Sequence, residues 1–203
     1  FLSEPGIAFT KATWAALQRR VSATIRAAAP AHTLIATSED YSCISTFLTL
    51  EPLQDRNVVY SFHFYPLSLG IFTFQGWWDE PILSGIKGLP YPSYLPEVRL
   101  YMEAASDPEV RAAVQSYIDG HWWSGHIDRL MAQTAAWGRH HGRPVSMTEF
   151  NLFFYAPPES RQRFVWDLRQ AAERHGVGWT FHEYACTPLP LMVTHDGVRT
   201  PDP

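Results

Sequence analysis

The sequence predicts an α/β protein built on a parallel sheet. Short runs rich in β-branched and aromatic residues alternate with segments that repeat apolar residues every three or four positions. Strands separated by helices are joined as parallel βαβ units. The predicted order, a strand end followed by α-β-loop-β-helices-β-α-β, contains about five strands. A closed (β/α)8 barrel needs eight strands and typically about 250 residues, so the strand count falls short of a closed barrel.

The first part of the chain carries two strands and a long helix after an initial strand end. Residues 1–3 are expected to close the first strand. Thr10 is a suitable N-cap for a helix over residues 11–29. The predicted apolar face of this helix recurs at spacings of three and four and comprises Trp14, Leu17, Val21, Ile25 and Ala28. Strands follow at residues 32–37 and 57–65, and the second has the strongest strand signal in the chain.

Residues 66–106 differ from the rest in their density of proline, glycine and tryptophan. We interpret them as one long ordered loop inserted at an active site, because aromatic side chains such as Trp77 and Trp78 need burial or a ligand. Core or loop packing is an equally good interpretation of these two tryptophans, since tryptophan is highly buried on average.

The remaining chain returns to alternating elements, and we expect residues 1–203 to form a single domain. The pattern predicts, in order, a helix opened by Asp107 as N-cap and Pro108, a helix over 121–141, a strand over 144–150, a helix over 159–175, a strand over 177–184 and an extended tail over 187–203.

Composition excludes several classes of protein. The chain is 46% hydrophobic, 14% aromatic and 18% charged, which is incompatible with intrinsic disorder. The net charge of −4 offers no basic face to nucleic acid. No apolar stretch reaches the roughly 18 residues that a membrane span requires. We therefore expect neither nucleic acid nor a membrane as a partner.

Cysteine and histidine spacing gives no cofactor motif. Cys43 and Cys186 are too few for a disulfide framework; they form either one bridge or two unrelated thiols. His121 and His126 lie five positions apart, which misses the common face of a helix, and no His-Glu-x-x-His motif occurs. We expect no metal and no cofactor.

Polar residues at the predicted strand ends are the candidate functional residues, because active sites of parallel α/β proteins lie at the carboxyl ends of strands. Glu4 follows the first strand, His63 and Tyr65 end the strand over 57–65, and Glu149 ends the strand over 144–150. The last strand supplies residues 179–183. Alternation along this strand places Ser61, His63 and Tyr65 on one face. The opposite face is apolar and carries Tyr60 and Phe62. Alternation likewise places Val145, Met147 and Glu149 on one face.

Two strand-end carboxylates suggest glycoside hydrolysis. One carboxylic acid protonates the leaving oxygen, while a second carboxylate attacks or activates water. A nearby histidine and tyrosine can tune both groups. The plainer interpretation is that Glu4 and Glu149 are structural ion-pair partners and that His63 and Tyr65 form a hydrogen-bonded core pair.

Four segments, in order, resemble motifs of glycoside hydrolase family 5, the cellulase-type clan of (β/α)8 enzymes. Ser3-Glu4-Pro5 resembles the Asn-Glu-Pro that ends strand four, and residues 57–67 with 72–77 resemble the strand-six motif. Residues 146–150, Ser-Met-Thr-Glu-Phe, resemble the strand-seven motif. Residues 178–183 resemble the Gly-Trp-x-x-Trp of strand eight. The resemblance implies an incomplete (β/α)8 barrel holding about strands four to eight.

The same resemblance implies a retaining β-glycosidase acting on β-linked glucan or a related polysaccharide. Glu4 would be the acid/base and Glu149 the nucleophile. The residues implied to contact substrate are Ser3, His63, Tyr65, Trp179 and His182. A polysaccharide substrate favours a secreted or periplasmic location.

The chain also departs from the family pattern. Ser3 replaces an asparagine, His182 replaces the second tryptophan, and Phe74 stands where many relatives have histidine. Nothing matches strands one to three. The alternatives are therefore a catalytically impaired carbohydrate-binding relic or a fragment of a longer glycoside hydrolase, with self-association or a missing N-terminal segment completing the barrel.

Overall fold

The computed structural model describes residues 4–6, 8–182, 192–195 and 198–201. Its helices are α1 Lys11–Ala28, α2 Glu39–Ser42, α3 Ile44–Phe47, α4 Leu67–Thr73, α5 Pro81–Ser84, α6 Pro96–Ala104, α7 Pro108–Asp119, α8 Ser124–His141 and α9 Pro158–His175. Its strands are β1 Leu34–Thr37, β2 Val58–His63, β3 Val145–Glu149, β4 Gly178–Trp179, β5 Met192–His195 and β6 Val198–Pro201.

The chain divides into two compact units. The first comprises Phe1–Phe64, Leu130–Glu149 and Ala172–Thr180, and the second comprises Tyr65–Arg129, Phe150–Ala171 and Phe181–Pro203. The single domain expected over residues 1–203 stays a prediction.

A four-stranded parallel sheet forms the centre of the first unit. Its strand order is β1-β2-β3-β4, which is also the order in sequence, and every neighbouring pair is parallel. Each crossover between neighbours contains helical segments. The predicted α/β class with parallel strands is therefore confirmed. The strand end expected at residues 1–3 lies outside the described residues.

Helix α1 confirms its predicted cap but not its predicted face. The Thr10 side chain accepts a hydrogen bond from the Thr13 amide. The buried residues are Trp14, Gln18 and Ser22, whereas Leu17, Val21 and Ile25 are only partly buried and Ala28 is exposed. The reason is polar: the Trp14 indole and the Gln18 amide both donate to the Thr37 carbonyl, at 2.7 and 2.6 Å. These bonds turn a mixed face towards the end of β1.

The apolar face of β2 packs on helices, as its alternation predicts. Tyr60 and Phe62 are fully buried. The Trp137 ring of α8 lies 5.0 Å from that of Tyr60 and 4.9 Å from that of Phe47, and Phe47 lies 5.1 Å from Phe62. The Trp137 indole also donates to the Leu50 carbonyl at 3.0 Å. The core of the first unit thus lies between this face and its helices, leaving the other face for Ser61 and His63.

Residues 66–106 are not one continuous loop, which corrects the sequence interpretation. They contain α4, α5 and α6. Helices α5 and α6 both begin at a proline, Pro81 and Pro96. Proline is well tolerated in the first helical turn, where its missing N–H has no helical partner. Prolines that look like loop punctuation in the sequence therefore start helices here. The position of this segment at an active site stays a prediction.

A buried glutamine joins two parts of this segment. The Gln75 side chain, fully buried, accepts from the Leu89 amide at 2.8 Å and donates to the Leu89 carbonyl at 2.8 Å. It also donates to the Phe72 carbonyl at 3.0 Å. Both main-chain groups of Leu89 are therefore satisfied by one amide, which holds this part of the second unit in place.

The C-terminal region is described in part. Of the strand expected over 177–184, the described residues form β4 at Gly178–Trp179, while residues 183–191 lie outside the description, as does Cys186. In the tail expected to be extended, β5 and β6 pair as an antiparallel ribbon. Within the described residues, none of the helices combines the length and the apolar character that crossing a bilayer would demand.

Candidate active site

A register shift at the ends of β2 and β3 positions the first two site residues. Tyr60, Ser61 and Phe62 pair with three consecutive residues of β3, ending at Met147. His63 then pairs with Glu149, so that Thr148 is skipped. An extra residue of this kind is a β-bulge, which re-aims the following side chain and is common next to active sites.

The bulge corrects the predicted face of Glu149. The Val145 side chain faces α8, since it lies 2.8 Å from the position that a Cβ on Gly138 of that helix would occupy. Ser146 faces the other way, 3.0 Å from the corresponding position on Gly178. Simple alternation places Glu149 with Val145, but pairing with His63 places it on the face of Ser146. One inserted residue thus moves the carboxylate from the helix-facing side to the face that carries Ser61 and His63.

Glu4 reaches the same point from the segment before α1. Its Oε1 accepts a hydrogen bond from His63 Nδ1 at 2.9 Å, and Glu149 Oε2 lies 3.6 Å from the same nitrogen. One donor atom from each of the three residues lies within 4.8 Å of the other two. The structure therefore brings together Glu4, His63 and Glu149, which we call the Glu-His-Glu cluster.

Solvent exposure differs across the cluster. The His63 side chain is 5% exposed, that of Glu149 23% and that of Glu4 44%. The imidazole is thus fixed at the closed end, while the carboxylates are open to incoming molecules. A nitrogen shared by two carboxylates in a partly desolvated site holds both in defined positions, since electrostatic attraction strengthens as water is excluded.

The segment after β1 supports the cluster and was missed by sequence reasoning. The Tyr41 amide donates to the Pro5 carbonyl at 3.3 Å, next to Glu4. Cys43 forms an isolated parallel bridge with His63. Asp40, Tyr41 and Ser42 all have positive φ, between 53° and 60°, so that the short element α2 is a left-handed turn rather than a regular α-helix. Such strained conformations cluster at functional sites. The available signal was the polar run that follows β1, since this too is a strand end.

Three of the other predicted site residues have described contacts of their own. Trp179 pairs with Met147, which places it on the helix-facing side, opposite to Glu149. Tyr65 and His182 belong to the second unit, where Tyr65 packs on Phe74 at 4.9 Å and His182 Nδ1 accepts from the Asn151 amide at 3.2 Å. Ser3 lies outside the described residues. Substrate contacts by these four residues stay predictions.

The Glu-His-Glu cluster can perform two kinds of chemistry. Two carboxylates a few ångströms apart can act as a proton donor and a nucleophile on one bond. An imidazole nitrogen and two carboxylate oxygens are also a donor set that binds a divalent metal ion. Within the described part of the chain, these are the residues that could hold such an ion.

Comparisons with solved structures agree on one fold. No curated protein matches the chain. Among solved structures, cellulose synthase subunit Z from Clostridioides difficile is 18% identical with a TM-score of 0.72, covering 94% of this chain and 54% of that one. A hyperthermophilic endo-β-1,4-glucanase in complex with substrate is 22% identical with a TM-score of 0.72, covering 98% and 54%. Thermotoga maritima Cel5A with cellobiose is 20% identical with a TM-score of 0.73, covering 95% and 53%.

These likenesses establish the architecture. The chain spans about half the length of the structures that it matches. Its parallel sheet with helical crossovers is part of a (β/α)8 barrel, which confirms the predicted incomplete barrel. The model of one family, Cellulase (glycosyl hydrolase family 5), matches residues 3–185. This chain belongs to glycosyl hydrolase family 5.

Proposed function

We propose that this chain carries the catalytic carboxylates of a retaining β-glycosidase that hydrolyses β-linked glucan or a related polysaccharide. The observation that carries the proposal is the separation of the two glutamates, whose facing oxygens lie within 4.8 Å. Retaining enzymes hold their carboxyl groups about 5–5.5 Å apart, whereas inverting enzymes need about 6.5–9.5 Å to admit a water molecule.

The reaction proceeds in two displacements. Glu149 attacks the anomeric carbon while Glu4 protonates the departing glycosidic oxygen, so that the C–O bond breaks and a glycosyl ester of Glu149 forms. Glu4, now a carboxylate, takes a proton from water, which attacks the same carbon and releases Glu149. The more exposed Glu4 suits the residue that exchanges protons with leaving group and water, and His63 holds it beside the nucleophile.

Family membership and the comparison structures support a carbohydrate substrate. Thermotoga maritima Cel5A has been solved with cellobiose and with mannotriose. We assign the contacts with the sugar to Ser3, His63, Tyr65, Trp179 and His182, and the location to the cell exterior or periplasm. The comparison structures are nearly twice as long as this chain, which supplies both of the proposed catalytic carboxylates.

The test compares release of reducing ends from a soluble β-glucan by the unmodified chain, Glu4→Gln and Glu149→Gln. Glu51→Gln, an exposed carboxylate in the same unit, is the matched control. We expect a loss of at least about a thousandfold in both cluster variants and none in the control. The anomer first released, followed by NMR, should retain the β configuration. Equal rates in all variants, or release of the α anomer, would overturn the mechanism.

The alternative is carbohydrate binding without hydrolysis. It is favoured by His182, which stands in place of a tryptophan and is engaged by Asn151. Binding of β-glucan that survives Glu4→Gln/Glu149→Gln, in a chain without measurable hydrolysis, would support this alternative. Absence of binding to any glycan would reject it.

A further inference from the structure

We propose that the Glu-His-Glu cluster is also a site for a zinc-like divalent cation, and that an ion bound there blocks hydrolysis. The site is formed by Glu4 Oε1, His63 Nδ1 and Glu149 Oε2. The binding part of the proposal is independent of the enzymatic activity, whereas the inhibitory part rests on the proposed function.

The donor spacing suits a small tetrahedral ion. Zinc binds nitrogen and oxygen at about 2.0–2.2 Å, so neighbouring donors of a tetrahedral site lie about 3.3 Å apart. The two separations from His63 Nδ1 are 2.9 Å to Glu4 and 3.6 Å to Glu149, on either side of that value. One oxygen of the Glu4 carboxylate lies within 4.8 Å of one oxygen of the Glu149 carboxylate. Small rotations of the exposed Glu4 side chain bring its oxygen to the donor–donor distance of a tetrahedral site.

The donor types favour zinc over calcium or magnesium. One imidazole and two carboxylates form a three-ligand set with a fourth position open to water, as in catalytic zinc sites. Calcium takes six to eight oxygen ligands, and magnesium retains an octahedral shell of oxygens. The two negative charges of Glu4 and Glu149 are neutralised by one divalent ion. The cluster therefore offers charge balance together with a nitrogen ligand that hard cations do not prefer.

The site is held in place before an ion arrives. His63 and Glu149 are fixed opposite each other by the register of β2 and β3. Cys43 bridges to the main chain of His63, and the Tyr41 amide holds Pro5, the neighbour of Glu4. Because the backbone on all three sides is tied down, binding orders few additional groups, which lowers its entropic cost.

An ion at this position occupies the reacting oxygens. Glu149 Oε2 would donate its lone pair to the metal instead of an anomeric carbon, and Glu4 Oε1 would be unable to carry the proton for the leaving group. The ion takes the place of the hydrogen on His63 Nδ1; that proton leaves to solvent while Nε2 takes one up, so that the imidazole stays neutral. Hydrolysis should therefore stop in proportion to occupancy, and a chelator should restore it.

The experiment measures zinc binding by calorimetry in the chain as it exists and in Glu4→Gln and Glu149→Gln. A control variant, His140→Gln/His141→Gln, removes two imidazoles outside the cluster, whose rings lie 4.7 Å from each other. Circular dichroism confirms that each variant is folded. We expect one equivalent of zinc whose Kd rises at least about tenfold in each cluster variant and is unchanged in the control. Cobalt in place of zinc should give the visible spectrum of a four-coordinate ion, lost in the same variants.

The outcomes separate this proposal from the enzymatic one. Zinc binding that is equal in the unmodified chain and both cluster variants, or that is lost in the histidine control instead, overturns the metal site. Zinc binding that depends on Glu4 and Glu149 in a chain without hydrolysis retains the metal site and rejects the enzymatic proposal. Hydrolysis that continues at saturating zinc overturns the inhibitory role.

Discussion

Tyr91 and Asp167 form a hydrogen-bonded pair in the second unit, outside the Glu-His-Glu cluster. The fully buried Tyr91 donates its hydroxyl to Asp167 Oδ2 at 2.8 Å. Burial raises the pKa of the Asp167 carboxyl above its ordinary 3.8, and the bond from Tyr91 offsets this only in part. The folded state therefore holds the proton of Asp167 more tightly than the unfolded state does.

Asp167→Asn tests this balance. Because the pKa of Asp167 is raised in the folded state, its protonated carboxyl contributes fully to the free energy of unfolding below pH 3.8. This contribution is lost as the pH rises through the pKa of the folded state. Asparagine keeps an acceptor for Tyr91 and has no charge to bury. We expect the variant to be at least as stable as the unmodified chain at neutral pH, and to lose its advantage as the pH falls towards 4.

Urea unfolding at several pH values measures this difference. Asp79→Asn, which removes an exposed carboxylate of the same unit, should show no comparable trend. The assignment would be contradicted if Asp167→Asn were clearly less stable than the unmodified chain at neutral pH and if this deficit became smaller in acid.

Helix α1 shows what local sequence can and cannot predict about an element. Its bounds and its cap follow from Thr10 and from apolar spacing, both of which act within a few residues. Its buried face cannot be predicted in this way, because Gln18 is buried by its hydrogen bond to the Thr37 carbonyl, nineteen positions later. Helices α5 and α6 were missed for the opposite reason: a proline at the first helical position looks like a loop signal.

Thr10→Ala measures the contribution of the cap. The Thr13 amide would lose its side-chain acceptor, so we expect the free energy of unfolding to fall by about 1 kcal/mol. Thr24→Ala is the matched control, because Thr24 is also exposed but bonds the Arg20 carbonyl within the helix. Alanine has the higher helix propensity there, so the control should be neutral or slightly more stable. Urea unfolding distinguishes the two, and equal effects would argue against capping.

At the scale of the whole molecule, the residues of the candidate site were more predictable than their geometry. Glu4, His63 and Glu149 were found because parallel strands end at one edge, a rule that needs only strand assignments. The bulge at Thr148 could not be predicted, since the two-residue alternation of side chains along a strand does not indicate where an extra residue is inserted. The positions of Tyr65, Trp179 and His182 depend on contacts between distant segments, which no local pattern encodes.

Buried tyrosines in both units should limit stability in alkali. Burial raises the pKa of Tyr60 in the first unit and of Tyr91 and Tyr117 in the second. Folding therefore favours their neutral forms, and the corresponding stability is present below pH 10.0 and is lost as the pH rises further. We expect these three of the nine tyrosines to ionise only as the chain unfolds.

Tyrosinate absorbance recorded together with circular dichroism tests this expectation. Three equivalents should appear along with the loss of secondary structure, and Tyr117→Phe should reduce that number by one. Reversible ionisation of all nine tyrosines in a chain that keeps its circular dichroism would contradict it.

The link made by Gln75 has a consequence for how this chain can change over time. An amide side chain that meets both main-chain groups of Leu89 does what an adjacent strand would otherwise do. The residues between Gln75 and Leu89 are therefore not needed to hold these two points together. Changes at exposed positions between them, such as Asp79, can therefore accumulate at little cost while the glutamine is kept, whereas Gly76 and the buried Ile86 are held by contacts of their own.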